Sequence, residues 1–390
     1  TDTHLLCLCV CKYWYGFRTI ACGWGTIALN QLWWHVDGDA YGRLRHAYVY
    51  RDPPSLSYEK WLKQGNFMRT LFGLALLTAT TSLSAYAQEQ TPEVEKFIQQ
   101  QVKEHQLDEA QVRQWLSEAE KNDDVLEAIQ RPWEAKPWYQ YHPIFLTEKR
   151  LDAGVKFWKK HRETLERAEK EYGVPAQIIV AIIGVETFYG NYMGKYSVLD
   201  SLYTLGFHYP PRSSFFRSEL SEFFQLAAEE GWNVAEAKGS YAGAMGFGQF
   251  ISSSYRHYAV DFDNDGHRDI LTNPVDAIGS VANYFAEHKW QQGQPVAQPL
   301  GNEQDWKTLV SDGMKPNTTR SEIKRKGYEL PQHQAVNDDT KVRVFEFETE
   351  QAHEYWLGYD NFYVITRYNH SPLYAMAVYQ FSEQLKNEVE

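Results

Sequence analysis

The chain has 390 residues, 43% of them hydrophobic, 15% aromatic and 23% charged, which is long enough for two or three domains around a sizeable core and too apolar for a disordered chain. Its 39 basic and 51 acidic side chains leave a formal charge of -12. That balance repels a phosphate backbone, so no nucleic acid partner is expected. The one strongly apolar run, at Leu71–Leu77, falls far short of the roughly 20 residues needed to span a bilayer, so no transmembrane segment is expected.

In chain order, the first landmark is Met68, the first methionine. Arg69 follows, then Leu71, Phe72, Leu74, Ala75, Leu76 and Leu77, then small residues to Ala85-Tyr86-Ala87. A charged start, an apolar middle and an A-x-A end predict a secretory signal peptide over 68–87, cleaved before Gln88. Residues 1–67 hold all four cysteines (Cys7, Cys9, Cys11 and Cys22) and show no period of 2 or 3.6. They read as sequence translated upstream of the true start. The other reading is a small metal or disulfide module, although C-x-C-x-C lacks the second knuckle and the histidine spacing of zinc sites. With cleavage at Gln88 no cysteine remains. The mature chain, 88–390, is therefore expected to be soluble, acidic and periplasmic, with neither disulfides nor a lipid-anchoring cysteine.

From Thr91 to about Gln130, apolar residues at helical spacing (Val94, Phe97 and Ile98, then Val112, Trp115 and Leu116) predict short amphipathic helices. The three prolines between Arg131 and Pro143 argue against regular structure there, while Trp133, Trp138, Tyr139 and Tyr141 offer flat apolar faces with polar tips. Thr147 to Tyr172 reads as one long helix capped by Thr147 and closed by Gly173. Pro175 opens a helix that is apolar on every face from Ile178 to Ile183, and so belongs at the centre of a domain. Further helices are predicted at Ser214–Glu229, Asn273–His288 and Ser371–Leu385. Strands are predicted at Lys341–Glu348 and Asn361–Thr366, and a surface linker at about 291–304. The fold class is α+β, mainly α.

Three segments could carry chemistry. Glu186 is the lone carboxylate at the end of the apolar helix. Apolar neighbours and the negative end of the helix dipole both disfavour its ionised form, so its pKa should rise, as a general acid requires. The plainer reading is a glutamate that reaches solvent at a helix end. The run GSYAGAMGFGQFISSS (239–254) is rich in small residues that let backbone approach a ligand, and Ser240 and Gln249 can hydrogen-bond hydroxyls or amides. It lacks the signatures of a phosphate loop, and tight helix packing explains it equally well. Asp261, Asp263 and Asp265, with Gly266 at position 6, match the front half of a calcium loop. His267 joins the candidate ligand set. Position 12, Thr272, cannot supply the closing carboxylate, and Asp276 is the nearest substitute. A polar turn without an ion is the other reading.

Together, Glu186 with Phe188-Tyr189-Gly190, SYAGAMGFGQF, VDFDNDGH with NPVDAIGSVANYF, and FYVITRYNHSPLYAMAVYQ resemble the lytic murein transglycosylase B family over most of residues 92–385. The resemblance implies a lysozyme-like catalytic core at about 170–290, flanked by helical and small β-containing subdomains. It further implies a structural calcium ion and cleavage of the MurNAc-GlcNAc β-1,4 bond of peptidoglycan with formation of 1,6-anhydro-MurNAc ends. Residue by residue, it makes Glu186 the single acid/base. It puts Tyr141, Ser240 and Gln249 along the saccharide cleft, and Tyr284, Tyr368 and Asn369 near the cleaved bond. The absence of a cysteine after the signal departs from the family's membrane-bound form. Two alternatives stand beside this one: a muramidase-type hydrolase using a second carboxylate, and a non-enzymatic, calcium-dependent peptidoglycan-binding module.

Overall fold

The computed structural model describes residues 91–130, 136–301 and 303–390. The cysteines and the signal-like stretch, and with them the expectations for 1–67 and 68–87, lie outside the described residues, as does Trp133.

Helices α1 (Pro92–His105), α2 (Glu109–Ser117) and α3 (Asp123–Ile129) each begin where a side chain supplies the missing acceptor. Thr91, Asp108 and Asn122 accept from the N–H groups of Val94, Gln111 and Val125. A short helix, α4 (Trp138–Tyr141), and a 3-10 turn (His142–Ile144) follow, where the prolines argued for irregular chain. Pro137 sits at the cap and Pro143 in the turn's first residues, the positions where a missing N–H costs nothing.

The long helix expected from Thr147 is two. α5 (Glu148–Lys160) and α6 (Arg162–Tyr172) are divided at His161, whose φ of -112 and ψ of 24 leave the helical region. The break lets α5 pack against the C-terminal helix while α6 packs against a different partner, the helix Pro274–Glu287. α7 (Ala176–Thr187) starts one residue after Pro175, which is its cap. All of α7 but Gln177 is buried, as its sequence predicts.

Next come β1 (Tyr196–Ser197), α8 (Val198–His208), α9 (Ser213–Glu230), β2 (Lys238–Gly239), α10 (Ser252–Tyr258) and α11 (Pro274–Glu287). β1 and β2 form a two-stranded antiparallel ribbon. Between 291 and 304, where a linker is expected, lies the edge strand β3 (Ala297–Leu300), and β4 (Thr318–Thr319) and α12 (Arg320–Arg325) follow it. β5 (Lys341–Glu348) and β6 (His353–Gly358) complete a four-stranded antiparallel sheet of order β3-β6-β5-β4. Alternation along β5 serves two cores: Val342 and Val344 pack into a small cluster with Trp306, Ile323 and Leu357, while Phe345 and Phe347 join the main core.

The segment Asn361–Thr366, rich in β-branched and aromatic residues, is helical, within α13 (Asp360–Tyr368). Burial of Phe362, Ile365 and Tyr368 along one helical stripe overrides strand propensity. α14 (Pro372–Val389) closes the chain and lies along α7. The described residues are mainly α with two small sheets, which agrees with the expected class.

Candidate active site

α7 carries Glu186 one residue before its end, and the chain then turns sharply. Phe188 and Tyr189 both adopt left-handed backbone, at φ 52 and 60. Two bulky residues there store strain that neighbours must hold in place. The Phe188 N–H donates to Gly184 O at 3.0 Å. The Thr187 hydroxyl donates to Phe247 O at 2.9 Å and accepts from the Gly190 N–H at 3.0 Å. The Tyr189 ring stacks on Phe157 with centroids 5.2 Å apart, in a slot that exists because Gly154 and Gly184 have no Cβ; one built at either would collide with its hydroxyl. The Arg150 guanidinium, buried and donating to the Ile144 and Phe145 carbonyls, lies 5.2 Å over the Phe188 ring. The turn that positions Glu186 is thereby braced from α5.

Glu186 is buried, with 4% of its surface exposed. Its Oε1 accepts a hydrogen bond of 2.6 Å from the hydroxyl of Tyr374 on α14. Burial pushes the Glu186 carboxyl up to about 8, and the hydrogen bond from Tyr374 offsets part of that rise. The Tyr374 and Tyr368 phenols are pushed well above their ordinary value by burial and by the nearby Glu186 charge, so both stay neutral. Tyr374 is fixed in turn by the helix start, where its N–H donates to Ser371 Oγ at 3.3 Å.

Glu186, Gln249, Tyr368 and Asn369 line one narrow cavity, together with Arg212, Phe215, Phe216, Ala242, Ala244 and Ile251. Among the described residues lining it, Glu186 is the only carboxylate. The Oδ1 of Asn369, a residue of this lining, is buried without a hydrogen-bond partner.

The other expected site residues have different settings. Tyr141 is buried between Trp138 and Phe145, close enough to Tyr374 to raise its pKa further. The Ser240 hydroxyl accepts from the Ala242 and Ala244 N–H groups at 3.3 and 3.0 Å, so it shapes the small-residue loop from within. The amide of Gln249 likewise donates to Met193 O and Gly246 O, bridging the turn after α7 to that loop. Tyr284 meets Tyr368 edge to face, with centroids 4.7 Å apart, and donates its hydroxyl to Arg367 O at 2.5 Å. Sequence reasoning did not single out Tyr374. No local signal marks it, since its partner lies 188 residues away in sequence.

On α11, the carboxylate of Asp276 is fully buried and accepts from the N–H groups of Phe262 and Asp269 at 2.7 and 2.8 Å. It converges with Asp261 and Asp263, with one oxygen from each lying within 4.8 Å of the others. Asp265 and His267 stand outside this group; Asp265 Oδ1 instead accepts from the His267 N–H at 2.9 Å. Three hard carboxylate oxygens at this spacing are a donor set suited to Ca²⁺.

Residues 89–383 match the family model described as the transglycosylase SLT domain. The chain is 41% identical over 302 residues to membrane-bound lytic murein transglycosylase B of Escherichia coli strain K12, an alignment covering 75% of this chain and 82% of the relative. The catenated lytic transglycosylase SltB1 of Pseudomonas aeruginosa superposes with a TM-score of 0.73 at 47% identity, covering 77% of this chain and 99% of that one. The Escherichia coli lytic transglycosylase Slt35 in complex with calcium superposes with a TM-score of 0.70 at 41% identity, covering 76% and 94%.

A buried carboxyl whose pKa rises from 4.5 to about 8 makes its full contribution to stability below about 4.5 and loses it as pH climbs towards 8, because the folded state holds a proton that the unfolded state releases. Glu186→Gln, neutral at every pH, should be more stable than wild type by about 3 kcal/mol at pH 7 and little different near pH 4.5. Chemical denaturation of both proteins at several pH values checks this. A pH-independent difference would mean that Glu186 ionises freely.

Proposed function

The chain belongs to the transglycosylase SLT domain family and is a lytic transglycosylase of peptidoglycan with a lysozyme-like core, and on that footing we propose that Glu186 is its single proton carrier. In this reading Glu186, protonated, gives its proton to the glycosidic oxygen of the MurNAc-GlcNAc β-1,4 bond as that bond breaks. The 2-acetamido group of the MurNAc unit stabilises the developing cation. The Glu186 carboxylate then takes the proton of the sugar's own 6-hydroxyl, whose oxygen attacks C1 and closes the 1,6-anhydro ring. Glu186 ends protonated and no water is consumed.

The observation that carries this reading is the raised pKa of a buried carboxyl in a cavity with no second carboxylate among its described lining residues. A hydrolase of this class needs two, about 5 to 9.5 Å apart. Tyr374 steadies the carboxylate formed after the first transfer by donating to it. Tyr368 and Asn369 are proposed to contact the sugar, with Gln249 and Ser240 shaping the loop beneath it and Tyr284 supporting Tyr368 from behind.

We also propose that Asp261, Asp263 and Asp276 hold a calcium ion, as a relative of this fold does. The ion would offset most of the charge of three close carboxylates and tie the 261–269 loop to α11. The substrate lies outside the cytoplasmic membrane, which agrees with an export signal at 68–87. No described helix is long and apolar enough to cross a membrane.

Digestion of sacculi in H₂¹⁸O should give fragments without label at the new terminus, since the attacking oxygen belongs to the sugar. Label there would make water the nucleophile and replace this reading with a hydrolase. For the cation, adding Ca²⁺ at a hundredfold excess over its Kd should stabilise the fold by about 2.7 kcal/mol, a rise in Tm on the order of 5 °C. Asp276→Asn should abolish the rise and Asp265→Ala should leave most of it. Equal melting curves with Ca²⁺ and with chelator would remove the site.

A further inference from the structure

Glu186 stands one residue before a turn that favours its own release: Phe188 and Tyr189, at φ 52 and 60, sit in backbone that suits neither side chain. Thr187 is the residue between the carboxyl and that turn, and it is buried, with 1% of its surface exposed. Its hydroxyl donates to Phe247 O at 2.9 Å and accepts from the Gly190 N–H at 3.0 Å, while its carbonyl accepts from the Tyr192 N–H at 2.9 Å. The hydroxyl also lies 3.2 Å from Ile183 O, one helical turn back. That last bond is one that a threonine in any helix can make. The bond to Phe247 is of another kind, because it reaches a residue 60 positions away in sequence and ties α7 to the small-residue loop.

Phe247 is a firm point to tie to. Its N–H donates to Ile270 O at 3.1 Å, and its ring fills the space beside Gly190, where an added Cβ would collide with it. Ile270 follows Asp269, whose N–H is held at 2.8 Å by the buried carboxylate of Asp276. A line of hydrogen bonds thus runs from α11, through the acidic loop and Phe247, to the neighbour of Glu186. We infer that Thr187 is a positioning residue, whose hydroxyl locks the left-handed turn onto the Phe247 carbonyl and so fixes the Glu186 carboxyl where it lines the cavity. The inference rests on the reading of Glu186 as proton carrier and adds the residue that aims it.

Thr187→Val keeps the shape of the side chain and removes the hydroxyl; Thr187→Ser keeps the hydroxyl and sheds the methyl group. On soluble glycan strands, valine should lower kcat about tenfold or more with KM little changed, since a misplacement of about 1 Å in a reacting group can cost about 10²-fold. Serine should keep most of kcat. With glutamate ¹³C-labelled at the side-chain carboxyl, the Glu186 resonance should move in the valine protein and stay in place in the serine protein, a distinction that lost packing alone would not produce. Thr187→Ala, which also lacks the hydroxyl and adds no bulk, gives the same reading where valine impairs folding. Wild-type kcat and an unmoved resonance in valine or alanine, or a serine protein as impaired as the valine one, would overturn the inference. A wild-type protein that cleaved no strand would instead refute the transglycosylase reading, and the resonance comparison, which needs no substrate, would still decide this one.

Discussion

The arrangement depends on one unfavourable act, the burial of a carboxyl group in the most apolar helix of the chain. α7 is buried along almost its whole length, so Glu186 has water on almost no side. Two outcomes are open to such a group: it finds a cation, or it keeps its proton. Among the described residues its hydrogen-bond partner is a tyrosine hydroxyl, which remains neutral. Proton retention near neutrality follows from the surroundings alone, which is the state that the proposed acid role requires.

Holding the group in place has its own cost, visible in the turn behind it. Phe188 and Tyr189 occupy left-handed backbone that suits neither side chain. The Phe157 ring, the Arg150 guanidinium and the Thr187 hydroxyl all close on that turn. α14 then brings Tyr374 to the carboxyl, and the packed rings of Tyr284, Phe285 and Tyr368 stand behind it. The acidic loop at 261–269 lies outside this cage and is joined to it through α11 and Asp276.

Glu186 was legible because it is one ionisable group in an apolar run, a contrast that needs no tertiary information. Asp276 was legible for a similar reason, as the carboxylate within reach of a loop whose twelfth position could not close it. The bonds that Ser240 and Gln249 make within the fold were not legible: Ser240 Oγ accepts from two N–H groups of its own loop, and Gln249 Nε2 donates to the Met193 and Gly246 carbonyls. Residue type reveals what a side chain can bond, whereas only the folded chain decides what it does bond. Tyr374 shows the converse. Nothing local marks it, because its partner is 188 residues away in sequence. The helix at Asp360–Tyr368 read as a strand and the strand β3 read as a linker for a common reason. Both elements take their conformation from what they pack on rather than from their own propensity.

If burial is what holds the proton, the ionisation of Glu186 can be observed directly. Glutamate labelled with ¹³C at the side-chain carboxyl, with the Glu186→Gln protein used to assign the missing resonance, yields the titration curve of this one group. A midpoint near 8 is expected. A midpoint near the ordinary 4.5 would contradict the claim that desolvation poises this carboxyl as an acid.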